Sequence, residues 1–199
     1  GTGSAVNAAD KTLKLELVSK GETHQFWQAV KKGAEEQAAK MNATIHFQGP
    51  ANETMIDKQL EMLAGAIALK PDAIGYAALG TTESLVQLKA AKAAGIPVYM
   101  FDTAASCAGG VPALGPNSDC ALGVAYTNSK AAGSLAADKM AALIGGKGKV
   151  LVVGHSQTNQ TGIDRRDGFV NRIKAKYKNI TLLPVQYSEG GDALKAQEI

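Results

Sequence analysis

The feature that most constrains this chain is an alternation of short apolar strands and amphipathic helices that fills its first half. Leu13-Lys-Leu-Glu-Leu-Val18 alternates apolar and charged side chains and turns through Ser19-Lys-Gly21. Phe26, Trp27, Val30, Ala34, Ala38 and Met41 then follow at helical spacing. Thr44 to Gln48 reads as a second strand, followed by a helix carrying Met55, Ile56, Leu60, Leu63 and Ile67 on one face. Ala73 to Ala78 is a buried strand, the next helix over Leu85 and Leu88 stops at Gly95 before Pro97, and Val98 to Phe101 is the fourth strand. Such alternation predicts a parallel sheet covered on both faces, because parallel strands need crossover connections. Residues 11–103 therefore read as one α/β lobe, and residues 1–10, beginning Gly1-Thr-Gly-Ser4, as a tag or disordered start.

Gly109, Gly110, Pro112, Gly115 and Pro116 break the rhythm, so residues 104–126 read as an irregular crossing between lobes. A second α/β lobe follows over residues 127–199. It begins with a helix from Ser129 to Ile144 stopped by Gly145-Gly146, a strand at Val150–Val153 and a helix over Phe169, Val170, Ile173 and Tyr177. A strand from Ile180 to Gln186 and a helix starting at Asp192 complete it. The last helix is short for one standing alone, so this lobe reads as incomplete.

The length of 199 residues, 45% of them hydrophobic and 20% charged, suffices for cores in both lobes. The 21 basic and 18 acidic residues are scattered without a basic stripe, so nucleic acid is not a predicted partner. No apolar run approaches the roughly 20 residues of a membrane span. His24, His46 and His155 have no metal-binding spacing, and no Gly-x-Ser-x-Gly elbow occurs. Gly145-Gly-Lys-Gly-Lys149 precedes a strand instead of opening a helix, so it reads as a helix stop and not a phosphate loop. No catalytic residues, metal or cofactor are predicted. Cys107 and Cys120, in a Gly/Pro-rich stretch, suit a local disulfide in an oxidising compartment, with two unpaired thiols as the alternative.

Three segments, in this order, carry a resemblance: Phe26-Trp27-Gln-Ala-Val-Lys-Lys-Gly-Ala34, Ala94-Gly-Ile-Pro-Val-Tyr-Met-Phe-Asp102 and Asp164-Arg-Arg-Asp-Gly-Phe169. The chain resembles the type I periplasmic binding proteins, in particular the ribose-binding kind that serves bacterial ABC importers. The resemblance implies two Rossmann-like lobes with parallel sheets, joined by a hinge and closing on a ligand at the carboxyl ends of the strands. It places the aromatic pair Phe26 and Trp27 against a sugar ring, with His24 beside them. Asp102 would accept sugar hydroxyls, and Arg165 would donate to them. Thr103 stands where the ribose-type pattern has arginine, so the sugar is expected to differ. Asn128 falls at the hinge, and Gln157, with Thr158, in the loop after the Val150 strand. Core roles for Phe26 and Trp27 and a plain loop role for His24 are the alternatives, while Arg166 reads as a solvated helix residue or ion-pair partner.

The implied function is capture of a monosaccharide or related small polar ligand in the periplasm or outside the cell, with lipoprotein attachment left open. Delivery would be to the membrane permease of an ABC importer. Relatives of this type continue further, so the chain is expected to be a fragment or to complete its second lobe with a second copy. A ligand-sensing domain of a membrane receptor or repressor shares the architecture and is the alternative, and a small-molecule enzyme is disfavoured.

Overall fold

The computed structural model describes residues 11–105 and 121–199. Cys107 and Cys120, with the expected disulfide, lie outside the described residues, as do residues 1–10 and most of the stretch read as a crossing.

The first lobe is built from β1 (Leu13–Val18), α1 (Gln25–Lys40), β2 (Ala43–Gln48), α2 (Ile56–Ala68), β3 (Ala73–Tyr76), α3 (Leu85–Ala93) and β4 (Val98–Phe101). With β5 (Gly123–Ala125) these strands form one sheet, ordered β2-β1-β3-β4-β5, and every neighbouring pair is parallel. β5 lies inside the segment read as irregular. Three residues cannot display a period of two, and pairing of Met100 with Val124, not local pattern, makes this a strand.

Alternation along β1 sends its side chains to two cores. Val18 joins Ile74, Tyr76, Val98 and Met100 under Leu63 and Ala66 of α2 and Leu88 and Ala91 of α3. Leu17 packs on the other face with Ile45, Phe47, Ala77 and Phe101, covered by Trp27 and Val30 of α1. Each such large apolar side chain contributes roughly 1.5–3 kcal/mol on burial.

Gln59 of α2 fixes the carboxyl ends of the strands. It is fully buried, and its Nε2 donates to the carbonyls of Ser19 (2.9 Å) and Ala77 (2.7 Å). Its Oε1 accepts from the Leu79 N–H (2.9 Å) and the Tyr76 hydroxyl (3.2 Å). One amide thus ties together the exits of β1 and β3.

The second lobe comprises α4 (Ser129–Leu143), β6 (Gly148–Val150), β7 (Val153–Gly154), α5 (Gln160–Lys176), β8 (Ile180–Leu182), β9 (Gln186–Tyr187) and α6 (Ala193–Glu198). β6 pairs with β8 and β7 with β9, both in parallel. The sequence pattern predicts one strand where each pair of short strands stands. Pro184, which has no N–H to donate, falls in the gap between β8 and β9, and bonds from Leu183 and Gln186 to the Val150 and Val152 carbonyls bridge it. Ala137, Ala141, Val150, Ile173 and Ile180 form this lobe's core. α4 and α5 touch through glycine: Gly133 lies against the backbone of Arg165 and Phe169, and Gly168 against that of Lys130. Beside this crossing Arg172 grips Asp138 with two hydrogen bonds (2.8 and 3.0 Å), and the Tyr177 hydroxyl adds a third (2.6 Å).

Candidate functional site

Loops leaving the carboxyl ends of strands in both lobes converge on a cleft of about 620 Å³. Lys20, His24, Phe26 and Trp27 follow β1, Asn52 and Glu53 follow β2, and Asp102 follows β4. The second lobe contributes His155 after β7, Thr161 and Arg165 from α5, and Gly190, Gly191 and Asp192 after β9. Strand ends in open parallel sheets leave backbone groups and loop side chains free for ligands, which is why both lobes present these loops to one space.

On the first-lobe wall the aromatic pair divides its work. Phe26 is 48% exposed, whereas Trp27 is 1% exposed and packs edge-on against Phe26 and Phe101. The indole N–H of Trp27 donates to Glu53 Oε1 at 2.9 Å. Glu53 Oε2 lies 2.6 Å from His155 Nε2, a contact that joins the two lobes. Burial pushes the Glu53 carboxyl up, but the hydrogen bond from His155, the nearby Lys20 charge and the Trp27 N–H together hold it below its ordinary value. A carboxylate only accepts, so the proton of this contact sits on His155 Nε2.

Asp102 takes a left-handed backbone conformation (φ 58°), one that aspartate tolerates better than most residues. Its Oδ2 is 2.6 Å from the ammonium of Lys20, whose side chain is 4% exposed. Among the described residues Oδ1 has no hydrogen-bond partner, and neither has the Arg165 guanidinium. An acceptor from the first lobe and a fork of donors from the second are thus both available to a ligand.

The cleft brings together His24, Phe26, Trp27, Asp102 and Arg165 of the residues singled out from sequence. His24 also caps α1, its Nδ1 accepting the Phe26 N–H (3.1 Å), which leaves Nε2 for other contacts. Thr103 lies just beneath the lining, buried and bonded to Lys20 and Thr161. Asn128 is not among the lining residues. It caps α4, accepting the Ala131 N–H at 3.1 Å, and that is the local reason for an amide there. Gln157 is exposed and also outside the lining. Arg166 turns away to Asp167 and the Tyr187 hydroxyl.

Lys20, Glu53, His155 and Asp192 are cleft residues that the sequence pattern did not single out. Their common signal is position: each is a polar residue within a few places of a strand's carboxyl end. Among the described residues no group of three His, Cys, Asp or Glu is placed to hold a metal, and no helix is long and apolar enough to cross a membrane.

A solute-binding protein of an ABC transporter from Agrobacterium vitis, bound to α-D-tagatopyranose, is 32% identical with a TM-score of 0.83, the match covering 94% of this chain and 61% of that one. A second from the same organism, bound to D-fucose, is also 32% identical, with a TM-score of 0.79 and coverage of 88% and 58%. A sugar-binding protein of a sugar ABC transporter from Bacillus halodurans is 29% identical with a TM-score of 0.75, covering 93% and 58%. The chain thus spans about three fifths of the length of these solved proteins. No curated protein sequence matches it. The periplasmic binding protein domain matches residues 15–199, and the chain belongs to that family.

Proposed function

We propose that the chain is a binding domain and not an enzyme, that it captures a monosaccharide between lobes 11–103 and 127–199, and that it does so outside the cytoplasm for the permease of an ABC importer. The observation that carries this reading is that Asp102 Oδ1 and the Arg165 guanidinium, each without a hydrogen-bond partner among the described residues, share one cleft beside the exposed ring of Phe26. A sugar offers hydroxyls that both donate and accept, together with an apolar C–H face. Carboxylate, guanidinium and phenyl ring complement those three features. The sugars bound by the Agrobacterium vitis relatives support the same ligand class.

Calorimetric titration of the 199-residue chain with D-tagatose, D-fucose and a panel of pentoses and hexoses tests the reading. At least one sugar is expected to bind. Asp102→Asn should weaken that sugar at least about tenfold, since a hydrogen bond to a charged group is worth roughly 1.5–3 kcal/mol. Unchanged affinity in the variant would remove Asp102 from the site, and a panel without any response would reject the sugar reading for this chain.

A further inference from the structure

We propose that Lys20 is a positioning residue: it holds the Asp102 carboxylate for the ligand and ties that hold to lobe closure through Thr103 and Asn159. The proposal rests on the reading of the cleft as a sugar site. Lys20 projects from the loop after β1 and is almost wholly removed from water, which is costly for an ammonium unless its partners compensate. It has three polar partners. Asp102 Oδ2 lies at 2.6 Å, Thr103 Oγ1 at 2.9 Å and Asn159 Oδ1, from the second lobe, at 3.5 Å. The Trp27 ring lies beneath the ammonium, 5.7 Å to its centroid.

The hydroxyl of Thr103 fixes the direction of this network. Lysine can only donate and carboxylate can only accept, so Thr103 accepts from Lys20 and donates its one proton to Asp102 Oδ2 at 3.2 Å. The Thr161 hydroxyl, 2.7 Å away in the second lobe, must then be a donor to Thr103. Both links between lobes at this point therefore reach Oδ2 through one group, Thr103 or Lys20, and Oδ1 is left for the ligand. Asn159 shows which partner matters. Its Oδ1 serves both the Gly162 N–H and Lys20, while its buried Nδ2 has no hydrogen-bond partner among the described residues. The arrangement also accounts for Thr103: the cation that an arginine at that position would bring is supplied from the β1 loop.

Lys20→Met removes the cation and keeps most of the stem, Lys20→Arg keeps the charge, and Lys20→Met combined with Asp102→Asn removes both charges of the pair, so that neither is left without its counterion and the chain folds even where Lys20→Met alone does not. For the best sugar of the panel, Lys20→Met should weaken binding about tenfold or more, as loss of a charge-assisted contact implies, with Lys20→Arg recovering most of it. If Lys20 acts through Asp102, the double variant binds no more weakly than Asp102→Asn alone. Small-angle scattering of the ligand-free chain gives a separate readout: both variants lacking Lys20 should be more expanded than the wild type. Additive losses in the double variant, or wild-type affinity in Lys20→Met, would overturn the proposal. Should the wild type bind no sugar, scattering decides: expansion upholds the link to closure and rejects only the sugar reading, while unchanged scattering rejects the link as well.

Discussion

Phe26 and Trp27 are adjacent in sequence, yet a helix turns each residue about 100° from the last, so only one of the two can face the core. Trp27 takes that place, with its N–H satisfied by Glu53, and Phe26 is left at the cleft. Trp27→Ala should therefore cost about 3–5 kcal/mol of stability, as large-to-small core changes do, measured by chemical unfolding. Phe26→Ala should leave unfolding nearly unchanged and weaken sugar affinity by about 0.5–1.5 kcal/mol, the worth of an aromatic contact. The opposite pattern would exchange the two roles. Of the candidate cleft, Phe26, Trp27, Asp102 and Arg165 were legible because they sit in the three segments that carry the family resemblance. Lys20, Glu53 and His155 were not, since their roles depend on partners far along the chain: Lys20 and Thr103 are 83 positions apart, Lys20 and Asn159 139. Asn128 illustrates the converse, a residue with a local duty, capping α4, that needs no partner far along the chain.

Strand and helix alternation made the first lobe readable, because each element is long enough to show its period. What escaped was set by pairing, as in β5, or by a single interruption, as at Pro184. Two element-level contacts lend themselves to measurement. Gln59→Leu keeps the volume but leaves the Ser19 and Ala77 carbonyls and the Leu79 N–H buried without that partner. At roughly 1–3 kcal/mol for an unsatisfied buried group, the variant should lose several kcal/mol and loosen the loops after β1 and β3, seen as faster amide exchange there. Asn128→Ala should cost about 1 kcal/mol of stability, as loss of an N-cap does, and leave sugar affinity unchanged. A large affinity loss in that variant would return Asn128 to the ligand set.

Among the described residues the polar contacts between lobes near the cleft are Glu53 with His155, Thr103 with Thr161, and Lys20 with Asn159. A ligand can shift closure only by its differential affinity for the open and closed arrangements, so under the proposed function these contacts are the ones its binding would have to act with or against. The Glu53 to His155 pair gives this balance a pH dependence with a definite sign. Although burial raises it, the Glu53 carboxyl is held below its ordinary value of 4.5 in the folded protein, chiefly by His155, with Lys20 and Trp27 adding to the effect. A depressed carboxyl stabilises the folded, closed form at pH above that value, and the contribution disappears as pH falls through the lowered one. Asp138, brought to about 2 mainly by Arg172 and then by Tyr177, acts in the same direction but lies within the second lobe, away from the cleft. Scattering at constant salt should therefore show a compact wild-type particle from neutral pH down to about 5 and expansion below the ordinary carboxyl range near 4. In Glu53→Gln the particle should be more open already at neutral pH and respond less to acid in that range, because the bridging charge is gone while Asp138 is intact. Equal acid responses in the two proteins would mean that the lobes are held together without Glu53.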